Sequence, residues 1–169
     1  KKIADENFSP LLELSKTYAE AQLKSATQDS WMESFYEQIH VDYILEEMPE
    51  IKEETGDAIE KIFKRLQIFP CVLSHGDFNP WNLFKKGVID IERFKPGPAG
   101  YDLLTNIYHT YMFPSEGDYE SMRTYEFDQD QTDRYIKAID EVYRLNGYWL
   151  PSEYCDEFIF CRIIFSVVR

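Results

Sequence analysis

His75-Gly76-Asp77, Asn82, Asp90 and Glu92 fall within eighteen residues of one another, at spacings that chemistry can use. Leu83-Phe84 and Val88-Ile89 flank Lys85-Lys86-Gly87, which reads as a three-residue hairpin loop with glycine at the position needing a left-handed backbone. That register pairs Phe84 with Val88 and Leu83 with Ile89, and sets Asn82 opposite Asp90. Opposed residues of an antiparallel pair carry Cβ atoms about 4.5–5.5 Å apart on one face. Asn82 and Asp90 are therefore expected to share one cation, and their hard oxygens suit Mg²⁺, which keeps waters and substrate phosphates in its remaining positions. Glu92, two residues beyond Asp90 and so on the same strand face, is a further ligand or a support for one. Asp77, just upstream, is placed to orient a substrate hydroxyl and accept its proton.

Several elements must position these groups. Ser9-Pro10 suggests the first turn of a helix over 8–26 carrying Leu11, Leu14, Tyr18 and Leu23. Ser30-Trp31-Met32-Glu33 has the form of a capping box for a second helix, with Met32, Phe35, Ile39 and Tyr43 on one stripe up to Met48-Pro49. Thr55 is expected to cap a third helix with Ile59, Ile62, Phe63 and Leu66 on its apolar face. Cys71–Ser74 then reads as a short buried strand leading into the His75 loop. Beyond the hairpin, Lys95–Gly100 reads as a turn-rich connector, and Asp102 as the cap of a helix carrying Leu103, Leu104, Ile107, Tyr108 and Tyr111 that Pro114 closes. Ser115–Gln131, polar and acidic, reads as a long loop, most simply a solvated surface. Tyr135, Ile136, Ile139, Val142 and Tyr143 mark a further helix ending at Asn146-Gly147, and Ser152 opens a last one whose end is apolar nearly all round.

Composition bounds the partners. The 169 residues suffice for a single domain with a substantial core, and 12 Tyr, 12 Phe and 3 Trp supply burial that outweighs chain entropy. A net charge of −13 disfavours nucleic acid and anionic membrane surfaces and favours a cationic small molecule. Three cysteines, Cys71, Cys155 and Cys161, lack metal-type pairing and read as buried fillers of a cytoplasmic protein. His40 and His109 have no matching partners and receive no role.

His75-Gly-Asp77 followed by Asn82, then Ile89-Asp90-x-Glu92 and Gly100-Tyr-Asp102, resembles the signature of the aminoglycoside phosphotransferase and choline kinase-like enzymes. The broader kinase pattern also has an acid, four intervening residues and Asn, with a metal-binding Asp beyond. The resemblance implies an α+β, mostly α chain: the C-terminal lobe of a protein-kinase-like fold, with a small β-hairpin carrying the metal site. It implies phosphoryl transfer from ATP to a small-molecule hydroxyl, with cationic acceptors among the candidates. Asp77 is then the catalytic base, His75 an orienting residue of its loop, Asn82 and Asp90 the nucleotide-bound Mg²⁺ ligands, and Asp102 a structural acid. Residues 1–169 are expected to form one such lobe, a fragment without the N-terminal nucleotide lobe, since no run of strands, Gly-rich loop or strand Lys precedes the block. An isolated lobe of this kind is expected to be inactive. The rival from another class is a non-catalytic, pseudokinase-like binding module, and a third possibility is metal-assisted hydrolysis around Asp77, Asp90 and Asp102.

Overall fold

The computed structural model describes residues 3–47, 49–79, 82–84, 87–112 and 127–167. Seven helices and four short strands lie among them. α1 (Asp5–Lys24) packs along α6 (Gln129–Leu145) and reaches β1 (Cys71–Ser74) with its later turns. Its buried residues, Phe8, Leu11, Ser15, Ala19, Gln22 and Leu23, follow the three-to-four spacing of one helical face. α1 starts earlier than Ser9-Pro10 suggests, so Pro10 lies inside it. Both Pro10 and Glu6, whose carbonyl would have received the missing N–H, are exposed, so water can serve that group.

The single helix expected over 30–48 is two. α2 (Met32–Gln38) and α3 (Val41–Glu47) are separated at His40, which takes a left-handed backbone with φ 59°. The break rotates the apolar stripe, so that Val41 and Ile44 are buried and Tyr43 is 51% exposed. Trp31 stands at the N-cap of α2 with no side-chain cap, so the Ser30 capping box is not made. Trp31 instead turns inward and donates from Nε1 to the Phe69 carbonyl at 3.1 Å. α4 (Lys52–Leu66) begins before Thr55 and buries Ile59, Phe63 and Leu66, as its pattern requires.

β1 is the expected strand, buried at Cys71, Val72 and Ser74 but with Leu73 52% exposed, and its partner is the segment read as a connector. β4 (Lys95–Pro98) pairs antiparallel with it, Val72 opposite Gly97 and Leu73 opposite Pro96. Two prolines are tolerated because the Ala99 N–H donates to the Pro70 carbonyl. That phase points the nitrogens of Pro98 and Pro96 away from β1, where no donor is required. Gly97 lets α2 close on this pair, since a Cβ there would lie 3.0 Å from Ser74 Cβ and 3.4 Å from the Phe35 ring.

The second ladder is the small hairpin of β2 (Leu83–Phe84) and β3 (Gly87–Val88). Leu83 opposes Val88 and Phe84 opposes Gly87, one residue off the expected register. α5 (Tyr101–Met112) packs on α7 (Cys155–Val167), which also touches α3 and α4. The long loop expected up to Gln131 ends sooner, because Asp128 caps α6 through a capping box with Gln131. Pro114 and the acids at 116–126 lie outside the described residues. Cys71 and Cys161 are buried, whereas Cys155 is partly exposed. No helix among the described residues is long and apolar enough to cross a membrane.

Aromatic rings dominate the core between these layers. Phe35 is fully buried, with Trp31, Phe63 and Tyr101 at ring-centroid distances of 5.6, 5.7 and 4.8 Å. Truncating it removes the node that joins α2, α4 and α5. Phe35→Ala is expected to cost about 3–5 kcal/mol in urea unfolding; a loss under about 1 kcal/mol would mean the node is not a single packed unit.

Candidate active site

At Ser74 the chain leaves β1 and turns through His75, Gly76 and Asp77, and a buried turn must pair its backbone groups. Asp102 supplies most of that pairing. Its carboxylate, 1% exposed, accepts the His75 N–H at 2.8 Å, the Gly76 N–H at 2.9 Å and Ser74 Oγ at 2.9 Å. The Tyr18 hydroxyl at 2.8 Å and Gln22 Nε2 at 3.1 Å complete the ring of donors. Asp102 lies in the first turn of α5, yet its side chain serves the neighbouring loop. The Tyr18 phenol is pushed well up by burial and then by the Asp102 charge, which keeps it a donor. Gly76 is required twice over: its φ is +77°, and a Cβ would collide with the Gln38 amide that donates to the Arg93 carbonyl.

His75 is fully buried and links the loop to the segment that follows the hairpin. Its Nε2 lies 2.7 Å from the Ile89 carbonyl, and its Nδ1 accepts the Asp77 N–H at 3.3 Å. The Nε2–H tautomer satisfies both contacts. Asp77 is 5% exposed, and its carbonyl accepts from Asn82 Nδ2 at 2.9 Å and Asn79 Nδ2 at 3.2 Å. Its carboxylate Oδ1 receives Arg162 Nη2 at 3.0 Å, while Arg162 Nη1 reaches the Gly76 carbonyl at 3.4 Å.

Nothing in the sequence pattern of the His75 block points to Arg162. It comes from α7, more than eighty residues away, and its buried side chain lies 4.6 Å from the Phe165 ring centroid. The available signal was its isolation: it is the one basic residue of Cys155–Val167, on the same helical stripe as Phe158 and Phe165. A cation on a buried stripe requires an anion opposite.

The geometric basis for the metal site changes with the hairpin register. Ile89, not Asp90, faces Asn82, whose carbonyl accepts the Ile89 N–H at 3.0 Å. Asp90 then takes a left-handed conformation, φ 65° and ψ 49°, and Ile91–Arg93 forms a 3₁₀ turn. Strand alternation therefore does not align Glu92 with Asp90, and both are exposed. The physical reason is loop length: two residues close this hairpin, where three were expected. Among the described residues, no three His, Cys, Asp or Glu side chains gather as a metal site. Asn82 turns its Nδ2 to the Asp77 carbonyl, which leaves its Oδ1, a hard oxygen of the kind Mg²⁺ takes, outside that bond.

Residues 11–144 match the phosphotransferase enzyme family, a span that runs from within α1 to the last turn of α6. The chain belongs to that family, the one its His75–Asp102 block resembles. No curated protein and no solved structure matches the chain.

The ring of donors around Asp102 gives the site a single point of failure. Asp102→Asn offers one acceptor oxygen to donors that now share two, and turns an NH₂ toward them. It is expected to cost about 3 kcal/mol or more in urea unfolding; an unchanged midpoint would show that the loop is held elsewhere.

Proposed function

We propose that the full-length protein transfers the γ-phosphoryl group of ATP to a hydroxyl of a small molecule, with Asp77 as the base. The observation that carries this is the built state of the Asp77 loop. Asp102 grips its backbone, His75 and Asn82 tie it to the neighbouring hairpin, and the Asp77 side chain is fixed in place. Membership of the phosphotransferase family supports the same reaction class.

In this reading the acceptor hydroxyl donates its hydrogen bond to the Asp77 carboxylate. As the new O–P bond forms and the bond to the γ-phosphorus breaks, the hydroxyl proton passes to Asp77 and ADP leaves. Most of the acceleration comes from position: a loop that does not reorganise holds the nucleophile in line at little entropic cost. Asn82 and Asp90 would hold Mg²⁺, with Glu92 on the adjoining turn, and the ion would neutralise charge on the phosphate oxygens. His75 keeps the Asp77 loop and the Asp90 turn at a fixed separation through the Ile89 carbonyl. The net charge of −13 favours cationic acceptors over anionic ones. Covering the nucleotide falls to a lobe of strands with a Gly-rich loop, proposed to accompany this chain in the intact protein.

Asp77→Asn keeps a hydrogen-bonding group for Arg162 while removing the base. It is expected to lower kcat by about 10²- to 10⁴-fold in a coupled ADP-release assay with MgATP and acceptor. Wild-type turnover by that variant would remove Asp77 from the chemistry. Asp77→Ala is the poorer probe, since it also breaks the buried pair with Arg162, at about 3–5 kcal/mol.

A further inference from the structure

The His75 block and Asp102 hold the backbone of the loop, and a residue outside the family match meets the Asp77 side chain. Arg162 lies beyond residue 144, on the last helix. Its guanidinium takes the Asp77 carboxylate with one arm and the Gly76 carbonyl with the other, so one rigid fork spans the base and the peptide before it. The fork is itself immobilised. Arg162 is 1% exposed, with the Phe165 ring packed against it. It also lies beside the buried Tyr101 phenol, which burial raises and the Arg162 charge opposes. Phe158, Cys161, Ile164 and Phe165 bury the α7 face around it, and Arg65 pairs with Glu157 at 2.7 Å to join α7 to α4.

A buried ion pair is a poor means of gaining stability. An apolar pair of similar volume is often as stable or more so, because desolvating two charges offsets most of their attraction. What such a pair supplies is direction: the carboxylate plane is set by the donor that meets it.

We propose that Arg162 is the positioning residue for Asp77, fixing the carboxylate in the orientation from which it receives the acceptor hydroxyl, so that α7 sets the competence of the base. This rests on Asp77 acting as the base of phosphoryl transfer. It predicts that the last helix is part of the catalytic apparatus although it contributes nothing that touches substrate.

The test has two arms, both on the full-length protein. In the first, Arg162→Met and Arg162→Lys are assayed with MgATP and with kanamycin, choline and homoserine as acceptors. Arg162→Met is expected to lose about 100-fold in kcat with the acceptor KM within about threefold. Arg162→Lys, which keeps the charge without the fork, is expected to recover about tenfold of that loss. A kcat for Arg162→Met within twofold of wild type overturns the proposal, as does a Lys variant as impaired as the Met variant. The second arm needs no turnover: urea midpoints of Arg162→Met, Asp77→Ala and the double variant. The double variant is expected to fall by clearly less than the summed single shifts, because each single change breaks the same buried pair. Additive shifts overturn the clamp. A wild type inactive on all three acceptors but with a non-additive cycle counts against phosphoryl transfer and supports the clamp.

Discussion

The structure around the His75–Asp77 loop depends on one buried carboxylate. Asp102 joins four parts of the chain: α1 through Tyr18 and Gln22, β1 through Ser74, the loop through the His75 and Gly76 amides, and α5, on which it sits. A charge in such a place is tolerated only because donors surround it, and each donor is in turn committed to a position by the charge. The aromatic core supplies the rigidity of the frame. The carboxylate transmits that rigidity to a loop that has no regular secondary structure of its own.

Two further constraints tie this loop to its surroundings. His75 spans from the loop to the Ile89 carbonyl, so the Asp77 and Asp90 segments are held by one small ring rather than by separate walls. Gly76 permits the reversal that makes this reach feasible, and Gln38 fills the space a side chain would have taken. Arg162 then reaches the same loop from α7. The loop is thus gripped by α5 at its backbone and by α7 at its side chain, two helices that pack on one another.

Much of this was legible in the sequence where local rules dominate. The acid, four-residue gap and Asn were readable as one local unit because Asp77 and Asn82 sit on one loop, and Asn82 does bond back to Asp77. α4 and α6 announced themselves by strong apolar periodicity. What failed did so where tertiary contacts override local preference. Lys95–Pro98 looks like a connector because two prolines forbid half of a ladder, and it pairs with β1 because only the other half is used. The hairpin register turned on whether two or three residues close the loop, and that one-residue slip undid the alignment of Asn82 with Asp90. His40 breaks a helix that its apolar stripe would continue. Arg162 stands out only as a lone cation on an apolar stripe, because the anion it meets lies far away in sequence.

The central proposal is that this loop orients a hydroxyl for direct transfer of the γ-phosphoryl group of ATP. Phosphorus NMR of the full-length protein with MgATP and one hydroxyl acceptor at a time tests it without assuming which residue does what. The account predicts a new phosphomonoester resonance for at least one acceptor, growing in step with ADP. ATP unchanged with every acceptor, or ADP accompanied only by inorganic phosphate, would contradict it.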